Sequence, residues 1–393
     1  MKKIIYLDNA AATPVDAVVL KKMSPYFSEK YGNPSSIHRL GQETFQAIEE
    51  SRRQVADFLN CSPEEIYFTG SATESDNLAI WGIIEKIISL GSAKPHLIIS
   101  AIEHKAVLEI CHKLVERKMA ELTVLPINEE GLIELTSLEK AIKKNTRLVA
   151  VMYANSEIGT VQPIARIGRL IQNINKKRKE PIYFYTDAVQ AANYLDCRVD
   201  NLGVDGLSFS GHKIYGPKGI SAFYLRKGTP ITPMIIGGGH EKGLRSGTEN
   251  VPGIVGLGAA VERIRKSGGD GAQIKKLRDK LITGILRDIP NARFNGSLKE
   301  RLPNNAHFSF KGAEGESIIM ELSQRGICAS TGSACASHSL KPSDILLALG
   351  LSHEEAHCSV RLTLGKQTKP SDIDYVLEIL PGIIERLRKI SGR

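Results

Sequence analysis

Residues 208–219 of this chain have the sequence S-F-S-G-H-K-I-Y-G-P-K-G, and the rest of the sequence is organised around them. The run D-G-L-S-F-S that leads into this stretch predicts a short buried strand. Gly216, Pro217 and Gly219 then predict a tight turn. Lys213 lies between the strand and the turn, so we expect it to be held firmly in place, unlike an ordinary surface lysine.

Upstream of this stretch, short apolar runs alternate with amphipathic segments. The predicted strands cover residues 66–69, 96–100, 122–126, 148–153, 182–186, 206–209 and 220–225. Helices are predicted at 74–90, 105–118, 135–143 and 164–176. This alternation is typical of an α/β fold with a mostly parallel, seven-stranded sheet and helices on both faces. Ligands of such sheets bind outside the carboxyl ends of the strands.

Asp187 directly follows the predicted strand 182–186, so Asp187 and Lys213 should lie at the same edge of the sheet. Such a pair suits pyridoxal 5'-phosphate (PLP). The lysine forms a Schiff base with the cofactor, and the carboxylate keeps the pyridine nitrogen protonated so that the ring can accept electrons. Taken alone, however, the pair favours an ordinary salt bridge at a strand edge.

Other polar residues follow the predicted strands and should meet at the same edge. The first strand leads into a turn of small residues that contains Ala72 and Thr73. This turn has two interpretations: its backbone N–H groups bind a phosphate, or it only caps the helix that follows. Later strands are followed by His104, Asn155, Gln190 and His212. A chance scatter of polar residues would rarely gather at one edge in this way.

The sequence changes character after about residue 268. We predict a large domain at 15–260 and a smaller α+β domain formed by 1–14 and 261–393. Within the smaller domain, Cys335 lies in A-S-T-G-S-A-C-A-S-H-S, where its neighbours are small, so an exposed and reactive thiol is expected. Arg361 interrupts an apolar strand pattern and either faces solvent or binds a carboxylate.

The composition of the chain limits the class of protein and the compartment that we expect. The chain has 393 residues, a net charge of +9 and 42% hydrophobic residues, which is typical of a globular protein with a sizeable core. No secretory signal or membrane span is expected, so we predict a cytoplasmic protein with reduced cysteines and no direct membrane contact. The cysteine spacings suggest no metal site. The basic run 176–179 is typical of a solvated helix end, so nucleic acid is not the expected partner.

Together these segments resemble the NifS/IscS-type cysteine desulfurases, which are PLP enzymes of fold type I. The resemblance covers nearly the whole chain and depends on an ordered set of motifs: L-D-N-A-A-A-T, Y-G-N-P-S-S-I-H, A-T-E-S-D-N, E-H-K-A-V-L, N-S-E-I-G, T-D-A-V-Q, S-F-S-G-H-K-I-Y-G-P-K-G, G-L-R-S-G-T and S-T-G-S-A-C-A-S. Each motif is weak, but their order is highly specific. The last motif resembles that of the housekeeping group of the family.

The resemblance implies a role for each matching residue. Lys213 would carry PLP, Asp187 would pair with the pyridine nitrogen, His104 would stack on the ring, and Gln190 would reach the phenolic oxygen. The phosphate would be held by Ala72, Thr73, Ser210, His212 and, from the partner subunit of a homodimer, Thr248. The substrate carboxylate would be bound by Arg361, Asn33 and Asn155, and Asn155 would also contact the cofactor. Cys335 would be the nucleophile.

The implied reaction converts L-cysteine to L-alanine and leaves a persulfide on Cys335, for iron–sulfur cluster assembly or tRNA thiolation. An iron–sulfur scaffold protein or another sulfur acceptor is the expected partner, although the C-terminal tail looks shorter than in longer family members. A selenocysteine lyase or cysteine-sulfinate desulfinase shares the fold and remains an alternative. So does a catalytically silent adaptor that kept the fold.

Overall fold

The structure, a computed structural model of the chain, describes residues 4–91, 94–268, 271–332 and 342–392. The elements of the first 268 residues are, in chain order, β1 (Ile5–Tyr6), α1 (Ala17–Met23), α2 (Pro25–Ser28), α3 (Arg39–Leu59), β2 (Ile66–Thr69), α4 (Ala72–Ser89), β3 (His96–Ser100), α5 (Lys105–Glu116), β4 (Glu121–Leu125), α6 (Leu135–Ala141), β5 (Thr146–Ala150), α7 (Ile164–Asn175), β6 (Tyr183–Asp187), α8 (Val199–Leu202), β7 (Gly206–Ser210), β8 (Ser221–Leu225) and α9 (Val251–Ser267).

A seven-stranded sheet with the strand order β2-β8-β7-β6-β5-β3-β4 forms the centre of this part. Strands β7, β6, β5, β3 and β4 are parallel to one another, whereas β8 runs antiparallel to both of its neighbours. The predicted fold class, an α/β protein with a mostly parallel sheet of seven strands, is therefore confirmed. The carboxyl ends of β3, β5, β6 and β7 come together at one edge.

Helices cover both faces of the sheet because successive strand residues point to opposite sides. On β3, Leu97 and Ile99 pack with apolar residues of α4 and α5. Between them, Ile98 points to the other face, where it joins a cluster that contains residues of α3, α7 and α9. A strand buried on both faces lacks polar alternation, which explains why these strands appear in the sequence as continuous apolar runs.

The remaining elements are α10 (Gly271–Asp288), β9 (Ala292–Phe294), β10 (Asn305–Phe310), α11 (Gly315–Gln324), β11 (Ile327–Cys328), α12 (Asp344–Ala348), α13 (His353–His357), β12 (Ser359–Thr363) and α14 (Pro370–Ile390). Strands β12, β10 and β9 form a second sheet, and β1 pairs in parallel with β11. Ile5 and Leu7 belong to the same apolar cluster as α10 and α14. The N-terminal segment thus packs with the C-terminal part of the chain.

The predicted boundary at residue 261 lies inside α9. Val261 and Ile264 on this helix pack in the cluster on the large sheet, and the C-terminal cluster begins at Ile274. The helix ends at Ser267 and is capped by Gly268, whose φ of 67° lies in the left-handed region. Among the residues that the structure describes, no helix is long and apolar enough to cross a membrane.

Candidate active site

A pocket of about 360 Å³ opens at the carboxyl edge of the parallel strands. This volume is within the usual range for small-molecule sites. The predicted site residues that line it are Ala72, Thr73, His104, Asp187, Gln190, Ser210, His212, Lys213 and Arg361. The structure therefore brings together side chains that are spread over most of the sequence.

Lys213 lies on the wall of the pocket. It ends a single 3₁₀ turn, Gly211–Lys213, that follows β7, and the next two residues, Ile214 and Tyr215, are fully buried. The amine Nζ donates hydrogen bonds to the carbonyl oxygens of Ala10 at 2.5 Å and Ala11 at 2.8 Å. Buried neighbours and two backbone acceptors thus fix the position of this amine.

Asp187 is the last residue of β6, the strand beside β7, and only 6% of it is exposed. Its Oδ1 accepts a hydrogen bond from the backbone N–H of Val189 at 2.8 Å. Burial raises the pKa of the Asp187 carboxyl, while the nearby His104 and Lys213 act in the opposite direction. A cationic N–H donor bound in the pocket would offset the cost of burying the carboxylate, and a protonated pyridine nitrogen is such a donor.

His104 is the N-cap residue of α5, immediately after the loop that follows β3. Its Nδ1 accepts a hydrogen bond from the backbone N–H of Ala106 at 3.1 Å. A neutral imidazole with Nδ1 as the acceptor carries its proton on Nε2. The ring is therefore held by the helix end and can donate a hydrogen bond through Nε2.

The first turn of α4 offers a seat for a phosphate. The Ser71 hydroxyl accepts a hydrogen bond from the backbone N–H of Glu74 at 3.1 Å, and the turn that includes Ala72 and Thr73 lines the pocket. Helix N-termini favour anions because their N–H groups point outward and the helix dipole is positive there. The structure thus shows a capped helix end that also faces the pocket, so the two interpretations of this turn are compatible.

Ser210 and His212 stand beside this helix end. The hydroxyl of Ser210 lies 2.7 Å from His212 Nδ1. Burial lowers the pKa of His212 to about 4, and the charges of Lys213 and Lys218 contribute in the same direction. His212 is therefore neutral at pH 7 and can contribute a hydrogen bond without a charge.

Gln190 and Arg361 contact the N-terminal segment as well as the pocket. The Gln190 amide donates to the carbonyl oxygen of Ala10 at 3.0 Å. Arg361, on β12, donates from Nη2 to the carboxylate of Asp8 at 2.8 Å and from Nη1 to the carbonyl oxygen of Ser156 at 3.0 Å. A buried guanidinium at the pocket wall is suited to bind a carboxylate.

Three predicted residues are not among those that line this pocket. The Asn155 side chain is buried in a turn, where Oδ1 accepts from the backbone N–H of Glu157 at 2.9 Å and Nδ2 donates to the carbonyl oxygen of Ile102 at 3.0 Å. Asn33 is exposed, as is Thr248. The roles predicted for these three residues remain predictions.

Cys335 lies outside the described residues. The described chain on either side of 333–341 is close to Glu157: a Cβ placed on Gly332 would be 3.1 Å from Glu157 Oε2, and the Ser343 hydroxyl donates to the same oxygen at 2.6 Å. Glu157 and Ser343 both line the pocket. The segment that carries Cys335 is thus joined to the rest of the chain at the pocket.

The sequence analysis missed two buried acids in the pocket. Asp76 on α4 accepts hydrogen bonds from the hydroxyl groups of Tyr185 at 2.5 Å and Ser208 at 2.9 Å, and burial raises its pKa well above the usual range. Glu103 follows β3, and burial raises its pKa to about 8. Asp76 lies on the apolar side of α4, and that unusual position is the signal that could have identified it.

The donor set fits PLP: a lysine amine, a buried carboxylate and a helix end for the phosphate face one pocket. Among the described residues, no cluster of three potential ligands for a metal ion is present. The fold and the pocket together define a PLP-dependent enzyme of fold type I.

Comparison with known proteins supports the assignment to PLP-dependent enzymes of fold type I. The family model for class-V aminotransferases matches residues 5–376. A protein from Dictyoglomus turgidum named cysteine desulfurase IscS is 46% identical over 392 residues, which are 100% of this chain and 97% of that protein. A protein of the same name from Methanosarcina thermophila is 46% identical over 393 residues, 99% of this chain and 94% of that protein.

Solved structures give the same result. A NifS-like protein superposes with a TM-score of 0.89 at 37% identity, covering 98% of this chain and 100% of that one. SspA in complex with cysteine superposes with a TM-score of 0.80 at 39% identity, covering 93% and 99%. The chain belongs to the class-V aminotransferase family. The predicted family, fold type and PLP dependence are therefore confirmed.

Proposed function

We propose that this chain is a PLP-dependent cysteine desulfurase that converts L-cysteine to L-alanine and transfers the sulfur to Cys335 as a persulfide. The observation that carries this proposal is the convergence of Lys213, Asp187 and Arg361 on one pocket. These residues supply an attachment point, a partner for a pyridinium and a carboxylate receptor. The similarity to proteins named cysteine desulfurase supports the choice of substrate.

Bound PLP supplies an electron sink for the pair of electrons released when the substrate loses its Cα proton. Lys213 would hold the cofactor and, once displaced by the substrate amine, would take that proton on Nζ. The carbonyl oxygens of Ala10 and Ala11 accept hydrogen bonds from Nζ and would stabilise its protonated form. Asp187 would keep the proton on the pyridine nitrogen.

The remaining pocket residues would orient the cofactor. His104 would stack on the ring, and Gln190 would reach the phenolic oxygen. The phosphate would be held by the first turn of α4 at Ala72 and Thr73, together with Ser210 and His212. Thr248 is exposed in this chain, which suits a residue that completes the phosphate site of the other subunit in a homodimer.

The substrate carboxylate would bind Arg361, with Asn33 and Asn155 as further contacts. Arg361 Nε is buried and has no hydrogen-bond partner among the described residues. A buried donor that lacks a partner costs free energy, and a substrate carboxylate would relieve that cost.

Cys335 would be the nucleophile. Its thiolate would form an S–S bond with the substrate sulfur while the Cβ–S bond breaks, and the electron pair left on carbon would take a proton to give the methyl group of alanine. The thiol must first lose its own proton. His104 is our proposed base, and because its Nδ1 accepts from Ala106 N–H, it must release that hydrogen bond to take the proton.

The persulfide would then pass to an acceptor, either an iron–sulfur scaffold protein or an enzyme of tRNA thiolation. We propose a cytoplasmic homodimer for this role. Pull-down with persulfide labelling would identify the acceptor.

The proposal is tested by the turnover of L-cysteine by the PLP-loaded protein in the presence of a thiol reductant. The wild type should release equal amounts of alanine and sulfide. Cys335→Ser should retain PLP and release no sulfide. Cys61→Ser is the matched control, because burial raises the pKa of the Cys61 thiol to about 12 and so makes it unreactive. Normal sulfide release by Cys335→Ser would refute the assignment of the nucleophile.

A further inference from the structure

Arg361 already has a carboxylate partner within the chain. Its Nη2 lies 2.8 Å from Asp8 Oδ1, and the two side chains are 3% and 20% exposed, respectively. A guanidinium this well buried needs a counter-charge, since desolvation of an unpaired charge is costly. Asp8 supplies that charge in the part of the chain that the structure describes.

Backbone hydrogen bonds fix Asp8 against the strand that carries Arg361. On one side of Asp8, the carbonyl oxygen of Leu7 accepts from Thr363 N–H at 2.7 Å. On the other side, the backbone N–H of Asn9 donates to the Thr363 carbonyl oxygen at 3.2 Å, and the Asn9 side chain donates to the same oxygen at 2.9 Å. Thr363 is two residues from Arg361 on β12. Asp8 and Arg361 therefore belong to one rigid unit.

Among the described residues, the partners of Arg361 leave some of its donors available for a ligand. A guanidinium has five N–H groups. Asp8 uses one on Nη2 and the Ser156 carbonyl oxygen uses one on Nη1, while Nε is buried without a partner among the described residues. The remaining donors suffice for a two-point contact with a carboxylate. Asp8 does not line the pocket, so it acts from behind the guanidinium.

We propose that Asp8 is a positioning residue for substrate recognition: it holds the Arg361 guanidinium at the angle that binds the α-carboxylate of the amino acid. This inference rests on the proposed function of Arg361. It assigns a role to the L-D-N-A-A-A-T motif, whose aspartate otherwise has no part in the reaction. Loss of the Asp8 charge should therefore weaken the binding of ligands that carry a carboxylate and leave the binding of other ligands unchanged, because only a carboxylate contacts Arg361.

The test compares Asp8→Asn with the wild type, both loaded with PLP. Loss of the charge that orients Arg361 should raise KM for L-cysteine about tenfold, the effect of weakening one charged hydrogen bond, while kcat changes little. Absorbance titration provides a second readout. The dissociation constant of L-alanine should rise by a similar factor, whereas that of ethylamine, which lacks the carboxylate, should be unchanged.

Asp16→Asn is the matched control. Like Asp8, Asp16 lies on the N-terminal segment and pairs with a basic side chain, in this case that of Lys366, but it does not contact Arg361 or line the pocket. If Asp8→Asn does not fold, Asp8→Glu keeps the charge on a longer side chain and should show a smaller loss that is still selective for L-alanine. Equal weakening of L-alanine and ethylamine would overturn the proposal, as would an unchanged or lower KM for L-cysteine. Failure of the wild type to turn over L-cysteine would instead refute the proposed function, and the ratio of the two titrations would still test the role of Asp8.

Discussion

Replacing Glu103 by Gln should stabilise the protein, and the gain should grow with pH. The carboxyl is buried beside the pocket, where Met152 N–H donates to its two oxygens at 2.9 and 3.0 Å. Burial raises the pKa of Glu103 to about 8, compared with an ordinary value of 4.5. Between these values the folded protein keeps the proton while the unfolded chain releases it, so this group makes the folded state less stable as pH rises.

The size of the effect follows from the interval between the two pKa values. Within this interval, each pH unit lowers the free energy of unfolding by about 1.36 kcal/mol through Glu103. Between pH 5.5 and pH 7.5 the free energy of unfolding of the wild type should therefore fall by up to about 2.7 kcal/mol through this group. Glutamine mimics the protonated acid and has no such loss. With an unfolding entropy of roughly 2.1 cal/mol/K per residue, the difference amounts to about 3 °C in the melting temperature.

The assay is a series of thermal unfolding measurements on the PLP-loaded wild type and Glu103→Gln at pH 5.5, 6.5 and 7.5. The exposed Glu129, changed to Gln, is the control for loss of a surface charge. The melting temperature of Glu103→Gln relative to the wild type should rise by about 3 °C across the series. A constant difference, or one that shrinks as pH increases, would refute the protonated state assigned to Glu103.

Three further variants test the pocket. Lys213→Ala should lose the chromophore that borohydride reduces, and a protein that keeps it would contradict the attachment of PLP at this lysine. Asp187→Asn should still take up PLP, as measured by absorbance. It should turn over L-cysteine about 100-fold more slowly than the wild type, because a charged hydrogen bond of roughly 3 kcal/mol is lost. Turnover within threefold of the wild type would contradict the pairing of Asp187 with the pyridine nitrogen. Arg361→Ala should lower kcat/KM for L-cysteine by about 100-fold, since two hydrogen bonds to the substrate carboxylate are removed, and the PLP absorbance should be unchanged. Loss of PLP from this variant would instead show that Arg361 supports the fold.

The central sheet could be predicted from the sequence because its strands are short apolar runs bounded by turn residues. The strands predicted at 66–69 and 96–100 match β2 and β3 residue for residue, and the other five differ from the observed strands by at most three residues at either end. The first helix shows the limit. Pro14 is a residue typical of a helix start, but α1 begins only at Ala17, because the Asp16 carboxylate accepts from Val18 N–H and caps the helix there.

Short strands were harder to predict. Strands β1 and β11 have two residues each, and their pairing joins Ile5 to Ile327, far apart in the sequence. Neither segment has a local pattern that identifies its partner. Long-range contacts of this kind also place Asp8 beside Arg361, so the link between the N-terminal motif and the pocket is visible only in the folded chain.

The pocket residues could be predicted where they follow strands of the parallel sheet, since the sheet itself places Asp187 and Lys213 at one edge. Asn33 and Thr248 lie on loops, whose positions depend on contacts that no sequence pattern reveals. Glu103 was missed for a different reason. Acidic residues are usually solvated, and nothing in the local sequence shows that this one is buried.

The most direct test of the proposed desulfurase is the mass of the protein after a single turnover. The PLP-loaded wild type, freed of reductant, is mixed with one equivalent of L-cysteine, and the cysteine-containing peptides are then mapped by mass spectrometry. We expect one added sulfur atom on Cys335, none on Cys61, and one alanine formed per sulfur bound. Alanine formation with the added sulfur on another cysteine, or with no sulfur on the protein, would contradict the proposed function.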